Sequence, residues 1–558
     1  MKKKYFLILW VLVFVAFFAI IFFAGPYSLT YSEHWKTFFF DAGYFRACLS
    51  EVGGPALLLG DFIKQFFISP VVSALVYALV LTLVSVLVNR LMSRISGDSG
   101  LLLLSTLPSM SLVCLGFNTN YSQAGTAALL LVLAAACLQR LIQGGAARFV
   151  FTFLATAVLF YLAGPAALLF AGVMFLAELL DSPGRGIGYL LPVALAWLLA
   201  FVGIRIGKAG DFSQILFPTA YFTSGLKAGS VVWLPWIMLA VDVLLASLWR
   251  YVHVRKPGLV IMLLVLQAVV VGAFGVTQIP HYANKDNEFL KELSYRVYHE
   301  DWDGVLKRCS GTPMTNLLFQ NHLNIALAEK GMLGDYVFRY PSFDIQSLYI
   351  QADSKNTFMY SLLSDDYFAM GHYAFSQRYA FEANESAGNY SPRLLQRLVL
   401  TNESLGYDEV ASKYRNLLSK TIFYRRWAKT YEMPSVDRAC AVPDNRFCGI
   451  KGLDDDLEQI VLANPDHAPS MQYLGALCLL YRDLPRFMKH LGVLKDAGVL
   501  PEVLPISFQE GVAMYANGNA DILGRYNVTK EVLDRFEHYK QSPSSEKNSF
   551  WYFIQHKK

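Results

Sequence analysis

The 558 residues are 54% hydrophobic and only 16% charged, with a mean hydropathy of +0.36, which excludes an ordinary soluble chain and one lying wholly in lipid and leaves a two-part protein. The net charge of +5 hides a split, because residues 1–281 carry +8 and the remainder −3. The basic excess sits in short loops flanking apolar spans, with no basic stripe interleaved with aromatics, so nucleic acid is not an expected partner.

Lys2, Lys3 and Lys4 precede an apolar run from Tyr5 to Ala24, long enough as a helix to cross a hydrocarbon core of about 30 Å. We read it as a retained helix; a cleaved leader is the alternative. Further apolar spans follow at Pro70 to Asn89, Leu101 to Phe117, Gln123 to Gln139, Phe149 to Leu162, Ala166 to Leu180, Gly188 to Ile204, Val231 to Trp249 and Leu259 to Thr277. Together they predict about nine transmembrane helices over residues 1–280. The bilayer is thus the first partner.

Alternate loops differ in charge. With the amino terminus inside, the inner loops hold Lys2, Lys3, Lys4, Arg90, Arg94, Arg140, Arg148, Arg185, Arg250, Arg255 and Lys256, against Lys36, Arg46, Lys64, Arg205, Lys208 and Lys227 in longer outer loops. Cytoplasmic loops carry such an excess. The expectation is a multi-pass inner (cytoplasmic) membrane protein with a cytoplasmic amino terminus and residues 281–558 in the periplasm of a bacterial cell. Inside the spans, Asp242 and Glu178 are the ionisable residues that stand out, too few for an ion-coupled transporter; Asp242 reads first as a structural residue.

The first outer loop, residues 25–69, is the longest between spans. Thr37, Asp41, Tyr44, Cys48 and Glu51 recur at helical spacing, Gly53, Gly54 and Pro55 break the pattern, and Asp61, Lys64 and Gln65 then share a face opposite Leu58, Leu59, Phe62, Ile63 and Phe66. This predicts helices lying along the membrane surface. On the segments Tyr31-Ser32-Glu33-His34-Trp35 and Phe40-Asp41-Ala42-Gly43-Tyr44, the chain resembles the multi-pass glycosyltransferases of the GT-C fold class, which carry an acidic catalytic residue in this loop. It departs from them in having no Asp-Asp or Asp-Glu pair. The resemblance implies transfer of a sugar from a polyprenyl-phosphate donor, with Glu33 or Asp41 as the base that deprotonates the acceptor. It further suggests His34, Tyr44, Glu51 and Asp61 around the substrate, with Arg205, Lys208 and Lys227 near the leaving phosphate. Interfacial anchoring is the competing reading for each.

From Tyr282 onward amphipathic segments of helix length alternate with Pro, Gly and Asn. Asn464-Pro465-Asp466-His467-Ala468-Pro469, followed by residues 470–481 and 484–494, has the pattern of a tetratricopeptide-like (TPR-like) pair, and residues 374–387, 392–405 and 408–419 repeat it loosely. Stacked pairs offer a concave face to a protein partner. A basic run from Arg393 to Lys429 reads first as solvated charge. No GxSxG, HExxH or P-loop is present, no cofactor is named by any motif, and the seven cysteines lack the spacing of zinc sites, so no metal is expected. Cys440 and Cys448 bracket a turn-rich segment and form a disulfide or two unlinked thiols. The whole chain also resembles a family of bacterial multi-pass membrane proteins without assigned activity, in which a segment like Ile422-Phe423-Tyr424-Arg425-Arg426-Trp427-Ala428-Lys429 follows a TPR-like pair. The fold class expected is therefore all-α: a GT-C-like polytopic membrane bundle followed by a soluble TPR-like α-solenoid. The alternative to an enzyme is a membrane scaffold that recruits partners for envelope assembly or export.

Overall fold

Every apolar run identified along the first half is helical in the computed structural model, which describes residues 3–222, 227–252, 257–314, 316–340, 344–351, 356–432 and 452–556. Cys440 and Cys448 lie outside the described residues. No β-strand occurs among the described residues, apart from one isolated bridge between Tyr121 and Phe222. The chain divides into two compact units, Met1–Lys291 and Glu292–Lys558.

The first unit opens with α1 (Lys3–Ala24) and three helices of the loop at residues 25–69, α2 (Pro26–Trp35), α3 (Ala42–Leu49) and α4 (Gly54–Lys64). It continues with α5 (Pro70–Ser96), α6 (Leu107–Gly116), α7 (Ala124–Gln139), α8 (Gly145–Ala163) and α9 (Ala166–Asp181). The short α10 (Pro183–Gly186) leads into α11 (Leu190–Arg205), and α12 (Leu234–Trp249) and α13 (Pro257–Tyr282) close the unit. Local chemistry sets these limits. In α5, for example, Ser69 caps the first turn, Pro70 follows at the first position, and Gly97 ends the helix with φ +85°, each a favoured choice there.

Six of the apolar helices have the length to cross a bilayer: Phe6–Ala24, Pro70–Ser96, Gly145–Ala163, Pro183–Arg205, Ser230–Trp249 and Gly258–Tyr282. The other three expected spans are shorter helices, α6 with 10 residues and α7 and α9 with 16 each. The difference has a packing reason. All ten residues of α6 are buried, while α7 packs on α4, α5, α8 and α9. Backbone that is not helical is tolerated at membrane depth where protein covers it.

The connections sort to two ends of the bundle. At one end Gly53 N donates to Tyr161 O at 2.9 Å, Ser122 N to Tyr221 O at 2.8 Å and Lys208 Nζ to Ser50 O at 3.0 Å, and Lys291 Nζ reaches Phe117 O at 3.0 Å. The connections after α1, α6, α8, α11 and α13 therefore meet. At the other end Trp249 Nε1 donates to Asp98 Oδ1 at 2.9 Å, Arg140 and Arg148 lie 3.1 and 3.8 Å from Glu178, and Arg250 pairs with Asp181. Glu178 is thus an anchor among basic residues. Asp242 is fully buried on α12, which packs on α5, α6 and α9.

The second unit begins within α14 (Lys285–Tyr298) and continues with α15 (Trp302–Cys309), α16 (Leu317–Glu329) and α17 (Leu333–Tyr336). Then follow α18 (Thr357–Ala369), α19 (Tyr373–Ser386), α20 (Pro392–Ser404), α21 (Asp408–Leu418) and α22 (Arg425–Thr430). Beyond the undescribed segment come α23 (Leu453–Ala463), α24 (Ala468–Leu480), α25 (Leu484–Asp496), α26 (Ile506–Ala516), α27 (Ala520–Arg525), α28 (Lys530–Gln541) and α29 (Phe550–His556). Helices adjacent in sequence pack together from α18 through α21 and from α23 through α26, the arrangement of a helical array. Gly475 lets α24 and α26 approach, because a Cβ there would stand 2.0 Å from the Phe508 ring.

Three members of the basic run pair internally, while Lys413, Lys420, Arg425, Arg426 and Lys429 are exposed. Arg393 and Arg397 bind Asp365 at 2.6 and 2.9 Å, and Arg415 binds Glu403 at 2.6 Å. Its neighbour Asp366 is fully buried, and neither carboxylate oxygen has a hydrogen-bond partner among the described residues. Burial, with the charge of Asp365, pushes this carboxyl well above the ordinary range. The folded state then holds the proton more tightly than the unfolded chain, so stability falls as pH rises from the unfolded value of about 3.9 toward the raised folded one. Asp366→Asn is expected to raise the thermal stability of this unit at pH 7 by about 1–3 kcal/mol, with a smaller gain at pH 5. Melting curves of the detergent-solubilised protein at both pH values measure it; destabilisation at pH 7 is the contrary result.

Candidate functional site

Glu33, Asp61 and Lys64 of the loop at 25–69 are buried, whereas Arg46 and Glu51 are exposed. α2 ends at Trp35, and the chain runs extended from 36 to 41, so the helical stripe expected from Thr37 begins only at Ala42. Asp41 fixes that start: its carboxylate accepts the Tyr44 amide at 3.1 Å and caps α3, as Asp does at helix amino termini. The cap turns Tyr44 inward, where it is fully buried and its Oη donates to Asp61 Oδ2 at 2.7 Å.

The turn into α4 is tight. A Cβ on Gly54 would stand 2.0 Å from Cys48 O, and one on Gly60 would stand 2.4 Å from Ala124 N. These approaches bring Asp61 against Lys36 Nζ at 3.0 Å and Lys64 Nζ at 3.3 Å. Glu33 is buried at the end of α2, close enough for its charge to act on Lys64. Asp61 and two ammoniums thus share one site, within reach of the Glu33 charge; Lys36, with a side chain 25% exposed, is its link to the surroundings. Mutual neutralisation is what makes such burial affordable.

Burial alone would raise the Asp61 carboxyl, but Lys36, Lys64 and the Tyr44 hydroxyl outweigh it and hold the group below its ordinary value. The Tyr44 phenol is raised, first by burial and then by the Asp61 charge, so it remains a donor. Chemically, the arrangement supplies ammoniums able to meet an anionic group and carboxylates beside them.

α4 presents its faces in the reverse of the usual order. Asp61, Lys64 and Gln65 are buried while Leu59 and Phe62 are exposed, together with Phe40 and Leu49 nearby. A helix with its charged face inward and apolar face outward is suited to apolar surroundings.

The remaining expected residues are dispersed. His34 is buried beside Tyr31, with ring centroids 6.3 Å apart. Glu51 is exposed and pairs with Lys208 at 3.3 Å. Arg205 lies over the Phe201 ring at 5.0 Å, and Lys227 is exposed. Thus Glu33, Tyr44 and Asp61 belong to the buried cluster, Asp41 positions it, and Glu51 with Lys208 forms a separate surface pair. Sequence reading missed Lys36 and Lys64 as site residues. The spacing of Asp61 and Lys64 was a local signal for one of them.

A bundle of spanning helices with a charged hairpin turned inward defines a multi-pass α-helical membrane protein. Over residues 1–557 the chain matches the model of a family of unknown function, DUF6057, and it belongs to that family. No curated protein and no solved structure matches it.

Asp61→Asn leaves the buried Lys64 and the partly exposed Lys36 with one counter-charge fewer and is expected to cost about 3–5 kcal/mol, whereas adding Lys64→Met recovers part of the loss. The wild-type cluster contributes fully above the unfolded Asp value of about 3.9 and loses that contribution as pH falls through the lowered folded value. Thermal unfolding in detergent from pH 7 to pH 3 checks both; equal stability of the single and double variants would show that the charges are not coupled.

Proposed function

We propose that the first unit is a membrane glycosyltransferase-like enzyme that moves a sugar from a polyprenyl-phosphate donor to an acceptor outside the cytoplasm, with its reacting centre at the first outer loop. The observation that carries this reading is the joining of Asp61 with Lys36 and Lys64, beside the buried Glu33, on a hairpin whose apolar face is outward. A lipid-linked donor brings its phosphate to such a place. The ammoniums meet the charge that develops on the leaving phosphate, and a carboxylate takes the acceptor proton as the anomeric carbon becomes cationic. Glu33 is the preferred base, since the cations on Asp61 lower that carboxylate's affinity for a proton. The GT-C resemblance supports this reading at the level of architecture only.

The same reading puts the amino terminus in the cytoplasm and the first outer loop and second unit in the periplasm of a bacterial cell. The lysine and arginine excess in the inner loops and the sorting of connections to two ends support it. A second reading, a scaffold with a TPR-like docking array, is favoured by Phe381, Tyr407, Val410, Ile422 and Phe423, apolar side chains exposed along α19 to α22.

Glu33→Gln is expected to accumulate normally and to lose at least 90% of a surface-glycan product, while Asp41→Asn, which preserves a capping side chain, loses less. Normal glycan from the combined Glu33→Gln, Asp41→Asn and Asp61→Asn protein would rule out the enzyme. In that case, loss of a co-purifying protein on charge substitution of the exposed α19 to α22 residues supports the scaffold. A reporter fused after Lys558 should behave as periplasmic; a cytosolic reporter removes the proposed chemistry with the topology.

A further inference from the structure

Outside the loop cluster, three helices of the second unit bring unlike donors together. Asp454 at the start of α23, Cys478 on α24 and His490 on α25 are all buried, and a ligand atom of each lies within 4.8 Å of the others. Glu458 Oε2 lies 2.6 Å from His490 Nδ1, and Asp454 Oδ2 lies 2.7 Å from Nε2. Arg486 pairs with both oxygens of Asp454. A cavity of about 10 Å³ adjoins Cys478 and His490, lined also by Leu474, Phe487, Leu491 and Phe508, a volume on the order of one water-sized species.

We propose that Asp454, Cys478 and His490 form a binding site for a borderline divalent cation of the Zn²⁺ class, with Glu458 orienting the histidine. The donor set selects the ion. One sulfur, one imidazole nitrogen and one carboxylate oxygen suit Zn²⁺, whereas Ca²⁺ and Mg²⁺ require oxygen-rich shells. A carboxylate on the far nitrogen of a ligating histidine fixes its tautomer and direction, which is the placement of Glu458.

Glu458 at Nδ1 leaves Nε2 as the nitrogen that faces the cation. Binding displaces the thiol proton of Cys478 to solvent, and Arg486 offsets the charge of Asp454. Geometrically, bonds of about 2.0–2.1 Å to nitrogen and oxygen in a tetrahedral shell set those donors roughly 3.3 Å apart, so the Asp454–His490 contact opens by roughly 0.6 Å. Arg486 remains on Asp454 and keeps its carboxylate in place.

The full chain in detergent, stripped with chelator, is titrated with Co²⁺ alone as the spectroscopic stand-in for Zn²⁺. One equivalent is expected to give thiolate-to-metal charge-transfer absorption in the near ultraviolet, which added Zn²⁺ abolishes. Cys478→Ser is expected to lose the absorption and Cys440→Ser/Cys448→Ser to keep it. Glu458→Gln, which touches only the far nitrogen, is expected to weaken binding about 10–100-fold, and it carries the test if Cys478→Ser does not accumulate. No thiolate absorption in the folded wild type, absorption that survives Cys478→Ser, or unchanged affinity in Glu458→Gln overturns the site.

Discussion

The membrane unit depends on holding a buried carboxylate charged. Asp61 is 2% exposed and held by Lys36, Lys64 and the Tyr44 hydroxyl, and each partner lost leaves that charge less compensated in a medium where isolated charge is costly. This constraint dictates the direction in which α4 faces. Once its charges point inward, Leu59 and Phe62 point outward, and the hairpin becomes part of the apolar surface of the bundle. The glycines serve the same end, since Gly54 and Gly60 permit backbone approaches that a Cβ would block.

The hairpin in turn accounts for the short helices behind it. A 16-residue helix reaches only about 24 Å, less than the hydrocarbon thickness of about 30 Å, so α7 and α9 need protein beyond their ends. α4 lies against α7 and α8, and Gly53 bonds to Tyr161 near the end of α8. At the opposite end Glu178 gathers Arg140 and Arg148, which closes the connections there with charge instead of an inserted hairpin. Basic side chains serve both ends, but the one is an internally neutralised cluster and the other a rim of arginines around a single carboxylate.

Much of this architecture was legible. The apolar runs are helical at all nine expected places, because their signal is compositional and local, but six of those helices, among the described residues, have spanning length. The limits of α3 were not, since a spacing of three or four residues cannot distinguish a helix starting at Thr37 from one started by the Asp41 cap. Lys36 is silent in sequence: it acts from an extended segment on a carboxylate 25 positions away. The grouping of Asp454, Cys478 and His490 is equally silent, because each comes from a different helix and cysteine spacing rules assume ligands close together in the chain. The basic run from Arg393 was legible in part: five of its members are exposed, as solvated charge should be, while Asp365 and Glu403, distant in sequence, hold Arg393, Arg397 and Arg415.

Three buried aspartates show why residue type alone does not define a site. Asp365 has two guanidiniums and lies below its ordinary value, and Asp61 has two ammoniums and does likewise. Asp366, one position from Asp365, has neither and is driven the other way. All three are equally removed from water, so desolvation cannot separate them; the number of cations within reach does. A carboxylate surrounded by cations stays charged and can organise anions around it through those cations, whereas one surrounded by apolar atoms stays protonated and organises nothing. Of the three, only Asp61 shares its cations with a second carboxylate and with a lysine that reaches the surface. That combination, and not burial, sets the first outer loop apart.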